Sequence, residues 1–280
     1  MRAVLCSGSF MVNQMRANHQ LQIAETLILG RNYLAASLLS ANLKEEDVIK
    51  IQVTCNGPLG GLNVEADNNH NVRGYILNNP INAPDPGSMT LSDYFGTGVL
   101  SVTRLNRLTN KPFTGQIEIQ HGNTASDLSY YFTASEQLAT AFKLDVSFSD
   151  DGNVKGAGGL LIQALPGTNE ALLVEAEKRI SSLPSLGQWF AEGGTSEAFI
   201  TEYLSTLEPK ILASTETQFY CPCERDKIKV HIGALPDDDK EEIISKNEFP
   251  IKTVCHNCGT SYLFSRDESM DLLIKGRKLQ

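Results

Sequence analysis

The chain has 280 residues, of which 41% are apolar and 20% are charged, and its formal net charge is −9. These proportions are typical of a globular protein with a sizeable core and exclude a disordered chain. The acidic balance argues against general attraction to nucleic acid or anionic lipid. Because the first apolar run is too short for a secretory signal and none approaches the roughly 18 residues of a membrane span, we expect a cytoplasmic protein without nucleic-acid or membrane partners.

In chain order, the first predicted element is a long helix over residues 20–43, where apolar residues recur at helical spacing. A loop with three prolines is expected over 78–88, and a second helix over 126–141. Alternating apolar and polar residues predict strands at 47–55, 62–66, 72–77, 99–105, 113–119, 144–148 and 158–165. Neighbouring strands joined by short polar turns favour antiparallel pairing. Residues 1–167 are therefore expected to form an α/β core domain, and the fold class is α+β, a mixed, largely antiparallel sheet with packed helices.

The rest of the chain is expected to form two smaller segments. Residues 168–217 are predicted to form a helical linker of marginal stability. It would contain an amphipathic helix over 171–183, followed by short helices separated by prolines and a glycine pair. Residues 218–280 are expected to form a small C-terminal module with too few residues to build a deep core unaided. Its acidic stretch 237–242 is expected to cap and solvate a short helix.

The cysteines indicate a metal site in this module. Four of the six cysteines form two close pairs, separated by 31 residues. In a reducing compartment, clustered cysteines indicate metal or redox chemistry more often than structural disulfides, and zinc prefers four tetrahedral thiolate or imidazole ligands. Gly259 suits a tight turn after the second pair. The predicted zinc ligands are Cys221, Cys223, Cys255 and Cys258.

The remaining cysteines and the nearby histidines are not predicted to be ligands. Cys6 and Cys55 stand alone in apolar, strand-like segments and are interpreted as small buried side chains. Either His231 or His256 could reach the metal, but four thiolates already complete a closed site. Four cysteine ligands leave no open position for catalysis, and no HExxH or GxSxG pattern occurs, so we predict no catalytic residue and no enzyme.

The metal site could be purely structural or could act as a switch. Spacing alone favours a structural zinc. However, the two cysteines of each pair are near enough in sequence to form a disulfide with little chain movement, and metal-bound thiolates can be oxidised. A structural zinc contributes about 10–16 kcal/mol, more than the net stability of a small module, so its loss should unfold the module. The linker beside the module could then unfold as well.

Several stretches of sequence carry a resemblance to a known family. The most specific ones lie in the module and are Cys221-Pro222-Cys223, Gly233-Ala234-Leu235-Pro236, and Cys255-His256-Asn257-Cys258-Gly259 followed by Tyr262-Leu263-Phe264. The core stretches are Ala35-Ala36-Ser37-Leu38-Leu39 running to Leu43-Lys44, Asn56-Gly57-Pro58-Leu59, Arg73-Gly74, Tyr131-Phe132 with Ser135-Glu136-Gln137, and Ala157-Gly158-Gly159-Leu160-Leu161-Ile162-Gln163. Over nearly its whole length the chain resembles the heat-shock protein 33 family of redox-regulated holdase chaperones.

The resemblance implies a redox-regulated, ATP-independent chaperone that binds unfolding client proteins and prevents their aggregation under oxidative stress. In the reduced form, the four cysteines are implied to hold one zinc ion per chain, and the chaperone is inactive. Oxidation is implied to form the disulfides Cys221–Cys223 and Cys255–Cys258, to release zinc, to unfold the linker and to favour a homodimer.

Three other functions are weighed against this one. A zinc-ribbon nucleic-acid-binding protein with a purely structural zinc would need a basic, aromatic face, which the acidic balance does not favour. A zinc hydrolase would need an open metal position, and a thiol oxidoreductase would place its C-x-x-C motif at a helix start in a thioredoxin-like unit. Cys255 and Cys258 are instead expected in a turn between strands.

Overall fold

A computed structural model describes residues 1–82 and 89–275 of the chain. Contacts divide the chain into two compact units, Met1–Tyr220 and Cys221–Gln280. Part of the loop predicted over 78–88, at residues 83–88, lies outside the described residues. None of the described helices is long and apolar enough to cross a membrane.

The first unit contains nine strands and seven α-helices within the described residues. The strands are β1 (Arg2–Ser7), β2 (Asp47–Cys55), β3 (Gly61–Asp67), β4 (Asn71–Ile76), β5 (Gly98–Asn106), β6 (Lys111–Glu118), β7 (Thr140–Phe148), β8 (Val154–Gln163) and β9 (Gln218–Phe219). The helices are α1 (Ser9–His19), α2 (Ile23–Ser40), α3 (Leu91–Phe95), α4 (Thr124–Ser135), α5 (Glu170–Ser182), α6 (Leu186–Ala191) and α7 (Ser196–Tyr203), followed by a 3-10 turn at Ser205–Leu207.

Two sheets and one central helix build this unit. One sheet has the strand order β6-β5-β2-β3-β4-β9, and the other has the order β1-β8-β7. Every pairing in them is antiparallel except that of β4 with β9. Helix α2 contacts strands of both sheets, and Tyr33, Leu34 and Leu38 on it are fully buried. The predicted α+β class with a largely antiparallel sheet is confirmed.

The start of the chain holds two elements that the sequence patterns do not predict. Strand β1 pairs with β8, and helix α1 follows it directly. The buried residues of α1 are Met11, Val12 and Met15, and polar residues surround them. Because the apolar stripe is so narrow, the sequence shows little helical periodicity here. The helix is stabilised by its tertiary packing.

The helix predicted over 126–141 is wrong at its C-terminal end. Helix α4 ends at Ser135, and Gln137 then adopts a left-handed backbone with φ of +55°. Thr140 begins β7 and pairs with Gln163 of β8. Sheet pairing therefore determines the conformation of these residues, although their apolar spacing also fits a helix.

Residues 168–217 contain helices α5 to α7, which pack close to strand β8. A Cβ atom on Gly158 of β8 would lie 2.4 Å from the ring of Phe190 in α6, and one on Gly156 would lie 2.1 Å from the carbonyl oxygen of Gly187. The close approach of α6 to β8 therefore requires glycine at these strand positions. The buried residues of this apolar cluster are Leu160, Ile162, Ala176, Leu183, Leu186, Phe199 and Leu204. The marginal stability of the segment stays a prediction.

The second unit is a small α+β module. Its elements are α8 (Arg225–Gly233), α9 (Asp237–Ser245), β10 (Ile251–Val254), β11 (Ser261–Phe264) and α10 (Arg266–Lys275). Strands β10 and β11 form an antiparallel hairpin, and the acidic stretch begins α9 as predicted. Among the residues described in this unit, the apolar core has three buried side chains, those of Ile232, Phe264 and Leu273.

Candidate metal centre

The two cysteine pairs of the second unit lie in two loops. Cys255 and Cys258 belong to the connection between β10 and β11, whose last paired residues are Val254 and Ser261. Within this connection, the N–H groups of Gly259 and Cys258 donate to the carbonyl oxygen of Cys255 across 2.8 and 3.3 Å. Gly259 has a φ of +70°, so the tight turn predicted there is confirmed.

The other pair, Cys221 and Cys223, immediately precedes helix α8, which begins at Arg225. The guanidinium of Arg225 lies 4.3 Å from the centre of the Phe264 ring, and it donates to both carboxylate oxygens of Glu268 at 3.0 Å. These contacts attach the first turn of α8 to β11 and α10. The loop that carries the first cysteine pair is therefore held beside the hairpin that carries the second.

All four cysteine Sγ atoms lie within 4.8 Å of one another. Cys221 is 3.8 Å from Cys255, and Cys223 is 3.3 Å from Cys258, measured between the Sγ atoms. Tetrahedral zinc has Zn–S bonds of about 2.3 Å, which place its ligand sulfurs about 3.8 Å apart. The donor set and its spacing therefore suit a four-coordinate metal ion and are compatible with zinc. Among the described residues, this is the one group of His, Cys, Asp and Glu side chains that could hold a metal.

Hydrogen bonds with neighbouring side chains and burial change the pKa values of the cluster's thiols. The hydroxyl of Tyr262 donates to Sγ of Cys223 across 3.1 Å, and Oγ1 of Thr260 lies 3.2 Å from Sγ of Cys258. Burial opposes ionisation of Cys258, but its hydrogen bonds with Thr260 and with the neighbouring thiols outweigh burial and lower its pKa. Burial raises the pKa of Cys223 and Cys255, and at Cys223 the bond from Tyr262 offsets part of this rise. The surroundings therefore favour ionisation of Cys258 and disfavour ionisation of Cys223 and Cys255.

The structure brings the four predicted cysteines together and leaves both nearby histidines outside the cluster. His231 lies in the last turn of α8, and the side chains of His231 and His256 are exposed. Tyr262 contacts the cluster but was not predicted to be a site residue. Strand alternation in β11 indicates that its side chains face two directions, but it does not reveal which direction faces the thiols.

Cys6 and Cys55 lie in strands β1 and β2, as their apolar surroundings predict. Both are free thiols and are half-buried rather than fully buried. Burial raises the pKa of Cys6 to about 12, although hydrogen bonds with Gly159 and Ser37 oppose this rise, and burial also raises the pKa of Cys55. Because thiolates are the reactive form of cysteine, both residues are poor nucleophiles near neutral pH.

Comparisons with known proteins find relatives along almost the whole chain. A family model described as Hsp33 protein matches residues 1–265. A 33 kDa chaperonin of Lachnoclostridium phytofermentans is 33% identical over 277 residues, which are 98% of this chain and 94% of the relative. A 33 kDa chaperonin of Lactobacillus johnsonii is 34% identical over 278 residues, with the same two coverages.

One solved structure is similar along almost the whole chain. It is the crystal structure of the 33 kDa chaperonin (heat shock protein 33 homolog) from Thermotoga maritima, with a TM-score of 0.87 and 28% sequence identity. The match covers 99% of this chain and 94% of that one. The names of these relatives describe chaperonins, which are not enzymes, in agreement with the prediction that this protein is not an enzyme.

Proposed function

Because this chain belongs to the Hsp33 family of chaperones, we propose that it is a redox-regulated, ATP-independent holdase that binds unfolding proteins under oxidative stress. The main observation that supports the proposal is that four cysteine Sγ atoms lie within 4.8 Å of one another in the small second unit. We propose that Cys221, Cys223, Cys255 and Cys258 hold one zinc ion per chain in the reduced, inactive form. Bound there, the ion would cross-link the two cysteine loops.

The small apolar core of the second unit makes its folding sensitive to this cross-link. Ile232, Phe264 and Leu273 are its fully apolar buried residues, with Phe264 and Leu273 at 0% exposure. A unit of this size has a typical net stability of about 3–9 kcal/mol, whereas structural zinc contributes about 10–16 kcal/mol. Loss of cysteine ligation would therefore shift the unit towards the unfolded state.

Oxidation of the cysteines to disulfides would remove the thiolate ligands of the zinc ion. When two thiols form a disulfide, they lose two protons and two electrons to an oxidant such as a peroxide. We propose the pairs Cys221–Cys223 and Cys255–Cys258. All four Sγ atoms lie within 4.8 Å of one another, with Cys221 3.8 Å from Cys255 and Cys223 3.3 Å from Cys258, so proximity alone does not favour the local pairs. Chain connectivity does, because cysteines two or three positions apart stay close when the unit unfolds, whereas the two loops separate.

Unfolding of the second unit would then act on the segment that precedes it in the chain. Cys221 follows strand β9 by two residues, and helices α5 to α7 precede that strand. We propose that these helices leave β8 on activation and uncover apolar residues such as Leu160, Ile162 and Phe199, which are buried in the folded chain. Exposed apolar surface binds unfolding proteins through burial of their own apolar side chains. The active form is proposed to be a homodimer in the cytoplasm, without nucleic-acid or membrane partners.

The alternative of a zinc-ribbon protein that binds nucleic acid receives no support from the comparisons. The matched family and the named relatives are chaperones. The redox-regulated holdase is therefore the one function that we propose.

A matched pair of cysteine variants tests the proposal. Cys255→Ser removes one thiol of the cluster, and Cys55→Ser removes a free thiol of strand β2. We expect Cys255→Ser to lose zinc and to suppress client aggregation without oxidation, while Cys55→Ser behaves like wild type. Zinc content, circular dichroism and light scattering from a heat-unfolding client measure these effects. The proposal is abandoned if Cys255→Ser stays folded, holds zinc normally and keeps the wild-type activity profile.

A further inference from the structure

A cavity of about 320 Å³ lies in the first unit, between helices α2 and α4 and strands β5 and β8. Seven of its thirteen lining residues are apolar, among them Leu39, Val102, Phe132 and Leu161. Six polar side chains complete the lining, those of Arg2, Asn42, Arg104, Tyr131, Glu136 and Gln163. Small-molecule sites usually combine apolar walls with convergent polar groups, and this cavity has both.

Arg2 is held in place by a chain of hydrogen bonds. Its Nη2 donates to Oε1 of Gln163, and Nε2 of Gln163 donates to Oγ1 of Thr140 across 2.8 Å. The Thr140 hydroxyl donates in turn to the carbonyl oxygen of Leu138 at 3.0 Å. Gln163 is only 2% exposed, so the network is fixed by packing as well as by hydrogen bonds.

This network does not use the Nε donor of Arg2. Its Nε is buried and has no hydrogen-bond partner among the described residues. Across the part of the chain that the structure describes, neither Arg2 nor Arg104 forms an ion pair with a carboxylate. A buried donor without a partner is unfavourable, and an acceptor on a ligand would satisfy it.

The charges of the lining indicate which ligand fits. Arg2 and Arg104 each carry one positive charge, and Glu136 carries one negative charge. The carboxylate of Glu136 already accepts a hydrogen bond from the Tyr131 hydroxyl at 2.9 Å. The lining therefore has a net charge of +1, which a single negative charge balances. Arginine also recognises carboxylates with planar, charge-assisted hydrogen bonds.

We propose that this cavity binds a small organic monoanion, namely a carboxylate with an apolar or aromatic body. The carboxylate accepts from Nε of Arg2 and from Arg104, and the body packs against Leu39, Val102 and Leu161. Arg104 pairs across the β5–β6 hairpin with Phe113, and both side chains are exposed, so they form the opening of the cavity. The proposed redox switch uses none of these residues, and the two proposals stand independently.

Isothermal titration calorimetry on the full-length, reduced protein tests this site. The probes are benzoate, hexanoate and indole-3-acetate, with benzamide as the uncharged analogue of benzoate and phenyl phosphate as a dianion. Arg104→Gln removes the cation at the opening, and Arg2→Gln removes the inner one. Arg107→Gln is the matched control, because Arg107 is exposed on the same hairpin but does not line the cavity.

We expect saturable binding of at least one carboxylate with one site per chain. Arg104→Gln is expected to weaken it about tenfold through loss of a charge-assisted hydrogen bond, and Arg107→Gln to leave it unchanged. Arg104 is exposed, so its variant decides the result even if Arg2→Gln fails to fold. The proposal is overturned if no carboxylate binds, if benzamide binds as tightly as benzoate, or if Arg107→Gln weakens binding equally. Tighter binding of phenyl phosphate than of benzoate would overturn the assignment to a monoanion.

Discussion

The hydroxyl of Tyr262 lies 3.1 Å from Sγ of Cys223 and 3.2 Å from the carbonyl oxygen of the same residue. Hydrogen bonds to metal ligands fix their orientation and typically change metal affinity by about 10–100-fold. We therefore predict that Tyr262→Phe lowers zinc affinity by about 10–100-fold and speeds zinc loss on oxidation. Competition with a chromogenic chelator measures both effects.

The control for this variant is Tyr130→Phe, which removes an exposed hydroxyl from helix α4 in the first unit. It should leave zinc affinity unchanged. Equal zinc affinities for Tyr262→Phe and wild type would show that the Tyr262 hydroxyl does not support the metal ligands.

A second prediction concerns the contact between β8 and α6. Because a Cβ on Gly158 would lie 2.4 Å from the Phe190 ring, Gly158→Ala should push α6 away from the strand. Overpacking of this kind typically costs about 1–3 kcal/mol of stability. We expect faster hydrogen exchange in α6 and partial suppression of client aggregation by the reduced protein.

Gly233→Ala is the matched control, because its Cβ would meet only the carbonyl oxygen of Leu272, 3.7 Å away. This variant should keep the reduced protein inactive. If Gly158→Ala loosens α6 and the reduced protein still fails to suppress aggregation, the release of this helix is not part of activation.

A third prediction concerns pH and His70. Burial lowers the pKa of His70, although Asp67 opposes this, and Nδ1 of His70 lies 2.6 Å from Oγ of Ser40. Between this lowered pKa and the unfolded value of about 6.5, the unfolded chain binds more protons than the folded one. The stability of the first unit should therefore fall as pH drops below about 6.5, and the loss should be complete below the folded pKa.

His70→Asn should reduce this pH dependence. His70 has a φ of +58°, a backbone conformation that asparagine tolerates. Urea unfolding at pH 7.5 and pH 5.5, followed through the first unit, compares this variant with wild type. His231→Asn in the second unit is the control. If the free energy of unfolding of His70→Asn depends on pH as strongly as that of wild type, other groups cause the acid sensitivity.

A fourth prediction concerns removal of the metal without oxidation. A strong chelator applied to the reduced protein should unfold the second unit, whose apolar core is small, and leave the first unit folded around α2. Hydrogen exchange should rise in α8, α9 and α10 and stay low in α2. Protection of α8 to α10 that survives complete metal removal would contradict this expectation.

The sequence predicted the cysteine cluster better than it predicted the start of the core. Residue type and spacing are enough to predict that cysteine pairs come together, so Cys221, Cys223, Cys255 and Cys258 could be proposed as metal ligands before any fold was known. The long helix α2 and most strands also follow from apolar periodicity. Helix α1 and the end of α4 do not, because packing and the pairing of Thr140 with Gln163 determine them. The Arg2 cavity draws its lining from many elements, and only the tertiary fold brings these together.

One measurement tests the central claim most directly. Reduced and peroxide-treated protein are compared at one temperature for zinc release, read with a chromogenic chelator, and for light scattering from a heat-unfolding client. The account predicts that oxidation releases one zinc ion per chain and that scattering falls in the same sample. Zinc that stays bound after oxidation, or that leaves without any change in scattering, would contradict it.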